Sequence, residues 1–191
     1  MTTTLSHPHL RRLLTDAEAV RAETERLRDT LTDAQLTWRP APDAWSVADC
    51  FEHMRKVDEG YAARIEAGIG RMESREGAYA PGFIARNFIK FVSPDSTRKL
   101  KAPRAIQPGE TPPSAGAAAL DRFLDQQAAL LRLIRAADGR DVNGGRFASP
   151  FFGLLKFSVG EGLTLLVRHE QRHLGQALRV TARPDFPSAQ A

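Results

Sequence analysis

The sequence predicts an all-α protein, a four-helix bundle with a long irregular connection between the second and third helices. Apolar residues recur at three- and four-residue spacing through four separate segments, and helix-start signals stand at their heads. No stretch alternates apolar with polar residues as a half-buried strand would. The 191 residues, 42% apolar and 26% charged, suit a single domain, 1–191, with one core.

The first helix is expected from about His9 to Leu31, with Leu10, Leu13, Leu14, Val20, Leu27 and Leu31 at helical spacing. Ser6 and Pro8 mark its start, the proline lying in the first turn where its missing N–H is harmless. His7 and His9 fall at this polar end and are expected to face solvent. From Thr32 to Trp45 the pattern breaks into a loop stiffened by Pro40 and Pro42. Trp38 and Trp45, the two tryptophans of the chain, are expected to pin that loop to the bundle as large apolar anchors.

Ser46 starts the second helix, and Asp49 three residues on makes a capping box with Asp in place of the usual Glu. Its apolar stripe is Val47, Cys50, Met54, Val57, Tyr61 and Ile65, and His53 falls on that stripe. Residues 77–113 are the least regular part, rich in proline. One apolar island, Phe83 to Phe91, reads as a short helix lying across the end of the bundle. Ser114 is placed to cap a third helix, from about Ala115 to Ala137, which Asp138-Gly139 stops. An aromatic loop, Phe147 to Leu154, precedes the last helix, which begins at Ser158 with a full capping box to Glu161 and ends before Arg183-Pro184.

That last helix carries His169-Glu170-Gln171-Arg172-His173. Two histidines four residues apart lie one turn from each other, so their ring nitrogens can converge on one divalent metal. Val159, Gly162, Leu166, Ala177 and Val180 share their face, so the imidazoles point inward. Chance alone supplies roughly 0.13 such pairs in a chain of this histidine content, so the pair needs support. His53, inward on another helix, provides it. Three neutral imidazoles with one open position form the donor set of a catalytic zinc site, and few inward acids are evident to satisfy them otherwise.

His-Glu-x-x-His also matches the zinc-protease signature, but only 18 residues follow His173, with Asp185 the sole acid and no histidine to act as a further ligand. Glu170 lies on the flank of the stripe and reads as a surface acid. Cys50 reads as packing.

Lys and Arg number 27 against 23 Asp and Glu, a net +4, but the charges are scattered among acids on amphipathic helices. That is a solvated surface, so no nucleic acid is expected as a partner. A single cysteine excludes an intrachain disulfide. With no secretory signal and no membrane-spanning apolar stretch, a cytoplasmic location is expected.

Arg39-Pro40, Trp45-Ser46-Val47-Ala48-Asp49, Glu52-His53-Met54, Ser149-Pro150-Phe151-Phe152-Gly153 and His169-x-x-Arg172-His173-x-x-Gln176 together resemble the DinB-like (DinB/YfiT) metal-binding four-helix bundles over nearly the whole chain. His53 matches the family histidine of the second helix, and His169 and His173 the pair on the last. Ser149 departs from the pattern, since many relatives carry His there. The resemblance implies a divalent metal, zinc or nickel, held by the three histidines, often in a homodimer. It implies either activation of a low-molecular-weight thiol cosubstrate for transfer or isomerisation, or metal-dependent hydrolysis, on a small-molecule substrate. The alternative is a bundle that binds a metal or small ligand for a structural or sensing role. No catalytic residue beyond the ligands is assigned, and Phe83, Phe88, Phe151 and Phe152 are expected as pocket walls at the mouth of the site.

Overall fold

In the computed structural model, which describes residues 5–75, 77–97, 102–109 and 115–188, the long helices are α1 (Pro8–Thr30), α3 (Val47–Ile69), α5 (Gly116–Ala136) and α6 (Val159–Thr181). Shorter ones are α2 (Asp33–Thr37) and α4 (Phe83–Val92), with a 3₁₀ turn at Arg104–Ile106. β1 (Phe147–Ala148) and β2 (Lys156–Phe157) pair antiparallel, Phe147 opposite Phe157. Two-residue strands are too short to show a period-two pattern, so the sequence reading has no strand there.

α3 packs against α5 and α6, and α1 against the same two, leaving α1 and α3 across the diagonal. The core falls into two apolar clusters. One holds Leu10, Leu13, Val57, Tyr61, Ile134 and Leu163 among others; the second holds Leu27, Phe51, Met54, Phe123, Ala177 and Val180. α1 and α6 therefore run from the first cluster to the second, while α3 and α5 run the other way. Adjacent parallel helices cannot be joined by a tight turn, which is the physical reason for the long connection from α3 to α5.

Capping boxes set the starts of α3 and α6. Ser46 and Asp49 exchange backbone-to-side-chain bonds at 2.9 and 3.0 Å, and Ser158 and Glu161 do the same. Asp49 is fully buried and also takes a bidentate pair from Arg39 at 2.7 and 2.9 Å, which ties the proline loop to the head of α3. A third capping box, Thr32 with Gln35, opens α2 inside the segment read as irregular. Its signal, Thr-x-x-Gln, is present in the sequence, but five residues cannot display a helical stripe. Ser114 lies outside the described residues; α5 starts from Ala115 without a side-chain cap.

The amino end of α1 corrects the expectation of exposed histidines. His7 is only 4% exposed: its Nδ1 accepts from the His9 amide and its Nε2–H donates to the Gly77 carbonyl at 2.9 Å. Asp138, just past α5, accepts from the Ser6 and His7 amides. His9 stacks on Tyr79 with centroids 3.8 Å apart and donates to Thr164 of α6. Burial lowers the His9 pKa to about 4, with nearby Arg12 adding to the effect. These partners come from distant parts of the chain, so a local reading of the terminus had no access to them.

Candidate metal centre

α3 and α6 are neighbours, and their capping boxes fix where each begins, so His53 meets His169 and His173 across one seam. Ring centroids lie 4.5 to 5.0 Å apart, and one nitrogen from each of the three lies within 4.8 Å of the other two. Exposure is 2% for His53 and 8% for each of the others.

Partners on the far ring nitrogens decide the tautomers. His53 Nδ1–H donates to the Ile106 carbonyl at 2.6 Å, and His173 Nδ1–H donates to Gln176 Oε1 at 3.1 Å. Both rings therefore turn a lone pair on Nε2 toward the centre. His53 Nε2 lies 3.2 Å from His169 Nε2. That spacing is close to the ~3.3 Å expected between two nitrogens ~2.0–2.1 Å from a tetrahedral ion. His169 Nδ1 is buried without a partner among the described residues. A proton or a cation must lie between the first two nitrogens, since two facing lone pairs would repel. The residues fit a divalent metal.

Burial keeps all three imidazoles neutral and available. It lowers His53 to about 4, helped by Lys56 and opposed by the bond to Ile106. His173 is lowered to about 3 by burial and then by His53, and His169 is lowered well below the ordinary range by burial and its two neighbours. Trp45 covers the cluster, its ring 4.9 Å from His53 and 5.7 Å from His173. Anchoring the loop is thus only part of its role. The Trp-Ser pair at the helix start was the available signal, since a residue just before the N-cap packs back over the first turns.

Two further buried groups were missed. Glu170, read as a surface acid, is fully buried, and so is Asp58 of α3. Gln127 of α5 donates to Glu170 Oε2 at 3.1 Å and to the Ala17 carbonyl of α1 at 3.2 Å. All four long helices thus meet in one polar layer where the two apolar clusters adjoin. Burial, then the neighbouring Glu170 charge, raises Asp58 well above the usual carboxyl range. Burial raises Glu170 to about 7, opposed by bonds from Asp58 and Gln127. Two buried carboxyl groups side by side cannot both ionise, and the shifts make Asp58 the one that keeps its proton and so has a hydrogen to offer Glu170. Glu170 is therefore committed to the core, which removes it as the water-polarising base of a zinc protease. Inward acids do exist, contrary to the sequence reading, but none joins the histidine cluster among the described residues.

Cys50 is fully buried, its thiol pushed up by burial, and stays outside the cluster. The Ser149 hydroxyl bonds the Tyr61 hydroxyl at 2.7 Å and accepts from the Phe151 and Phe152 amides. It ties the aromatic loop instead of offering a ligand. Phe151 lies against Tyr61 and over Gly60, and Phe88 meets Phe152 with centroids 5.4 Å apart. Phe83 is 73% exposed. The connection and the aromatic loop therefore pack together as a pair, and among the described residues the aromatic ring packed against the histidines is that of Trp45. Two surface grooves of about 540 and 400 Å³ run past His9 and Arg12, and neither borders the three histidines.

A helical bundle with three histidines converging across two helices defines the class, and the comparisons place the chain within it. Residues 16–177 match the DinB superfamily, and the chain belongs to that family. It is 24% identical over 158 residues to the uncharacterized protein YuaE of Bacillus subtilis (strain 168), covering 82% of this chain and 89% of YuaE. Its fold is similar to that of YfiT from Bacillus subtilis, described as a probable metal-dependent hydrolase with an unusual four-helix bundle topology. The TM-score is 0.59 at 14% identity, over 93% of this chain and 89% of YfiT. No helix among the described residues is long and apolar enough to cross a membrane.

Proposed function

We propose that the chain is a metal-dependent enzyme in which His53, His169 and His173 hold a divalent ion, zinc or nickel, that acts on a low-molecular-weight thiol or water. The carrying observation is the donor set: three neutral imidazoles converge, and no acid or thiol among the described residues completes the shell. Three protein donors leave a position for an exchangeable ligand, whereas structural zinc sites are closed by four. When bound, such an ion lowers the pKa of the thiol or water it meets, which suits hydrolysis or S-transfer to a small substrate.

The chain's own residues hold the imidazoles for that task. The Ile106 carbonyl and Gln176 fix the tautomers of His53 and His173, and Trp45 excludes water from one side. Arg172, beside His173, donates to the Phe91, Ser93 and Ser96 carbonyls and so holds the carboxyl end of α4 against this stretch of α6. That contact supports α4, with Phe88 and the Phe151–Phe152 loop behind it, as the outer wall of the pocket. The protein acts as a homodimer in the cytoplasm without a nucleic-acid partner.

Metal analysis of the purified protein, with assays of ester hydrolysis and of thiol transfer to an electrophile, tests the reading. One equivalent of metal is expected, lost in His53→Ala, His169→Ala and His173→Ala and kept in Glu170→Gln. Metal retained by all three histidine variants would overturn it.

A further inference from the structure

Residues 102–109 form a strap that lies across α3 beside His53, and the strap is braced within itself. The Ile106 amide donates to the Pro103 carbonyl at 3.0 Å, and the Gln107 amide donates to the Arg104 carbonyl at 3.2 Å. The Gln107 side chain closes the turn by donating to the Ala102 carbonyl at 2.6 Å. Ile106 is buried in the first apolar cluster, so the strap has one apolar anchor. A 3₁₀ helix of one turn has little stability of its own, and these bonds last only while the strap is docked.

Asp49, His53 and Lys56 stand four and then three residues apart, which sets them in one ridge along α3. The strap follows that ridge, and three of its carbonyls accept hydrogen bonds there. Lys56 Nζ donates to Gln107 at 2.9 Å, His53 Nδ1–H donates to Ile106 at 2.6 Å, and Arg39, paired with Asp49, donates to Gly109 at 2.8 Å. Gln107 follows Ile106 directly, so the hold that Lys56 has on one carbonyl fixes the next, which is the one that orients His53.

We propose that docking of the 102–109 strap on α3 and metal binding at the three histidines are coupled, with Lys56 as the positioning residue that holds the strap in place. A histidine that carries an ion on one ring nitrogen is a stronger donor at the other, so a loaded His53 grips the Ile106 carbonyl harder. By linkage, a firmly held carbonyl raises the affinity of His53 for the ion by the same factor. The inference rests on the metal reading above, and the experiment separates the two.

Cobalt(II) affinity is measured by calorimetry for the wild type, Lys56→Met, Lys56→Arg and Gln107→Ala, with circular dichroism to confirm the fold. Amide hydrogen exchange in the peptide spanning Ile106 and Gln107 is followed by mass spectrometry. In the wild type, cobalt should slow that exchange. Lys56→Met should speed it in the metal-free protein, leave the amides of α5 unchanged, and weaken cobalt binding about tenfold, the lower end for lost support of a metal-bound histidine. Charge alone acts the other way, because removing a cation one turn from His53 would tighten the hold on a dication. Lys56→Arg should restore most of the affinity. Gln107→Ala cuts the brace to Ala102, leaves every charge in place, and should also weaken cobalt binding. A wild type that takes up no cobalt, or binding that persists in His53→Ala, would remove the metal reading and the coupling with it. Cobalt bound through the histidines with strap exchange unchanged, or bound by Lys56→Met as tightly as by the wild type, overturns the coupling alone.

Discussion

Proton competition at the metal centre should set in far below the usual imidazole range. Three exposed imidazoles with the ordinary pKa of about 6.5 would each lose about tenfold in availability between pH 7.5 and 5.5, about a thousandfold in combined affinity. Here burial lowers His53 to about 4 and His173 to about 3, and takes His169 well below the ordinary value. With ligands so depressed, the same pH step should change zinc affinity by under about twofold, the fall beginning only below about pH 5. The sequence alone, with unperturbed histidines, would place that fall near 6.5. Competition with a chromophoric chelator at several pH values, corrected for the chelator's own protonation, measures the curve. A loss approaching a thousandfold by pH 5.5 would show that the imidazoles are hydrated in the metal-free protein and would refute the burial argument.

The polar layer acts on stability with the opposite sign. A raised carboxyl pKa makes the folded state hold its proton longer than the unfolded chain does, so this contribution is full below the unfolded value and is lost as pH rises through the folded one, about 7 for Glu170, with Asp58 raised by burial and by the Glu170 charge. Asp58→Asn keeps a donor toward Glu170 and should flatten the decline in urea stability as pH rises from the unfolded carboxyl range of about 4 toward neutrality; an unchanged slope would contradict the shared proton. Trp45→Phe should remove most of the change in tryptophan emission when nickel is added, whereas Trp38→Phe, whose ring lies against Phe186, should leave it. Gly160→Ala sets a Cβ about 2.7 Å from the Val142 carbonyl, against backbone that cannot turn aside, and should cost about 1–3 kcal/mol in chemical denaturation. A variant as stable as the parent would refute the close approach of α6 to the Val142 carbonyl.

Sequence by itself determined the four long helices, all four starts and the ends of the first, third and fourth to within a residue or two, and the inward direction of His53, His169 and His173. These follow from local chemistry: a period of 3.6, a Ser three residues before an acid, and a glycine or proline past the end. Only the tertiary structure decided which helices are neighbours and therefore which polar groups meet. Glu170 looks like a surface acid because it stands beside polar residues on the flank of its stripe. In the bundle that flank faces Asp58 and Gln127, two side chains from other helices. His7 is a terminal polar residue until Gly77 and Asp138 close around it. Trp45 becomes part of the site only because α3 brings its own head against the middle of α6. Periodicity reports how a side chain points from its own helix. What it meets there depends on the order and direction in which the helices pack, and that is a property of contacts far apart in the chain.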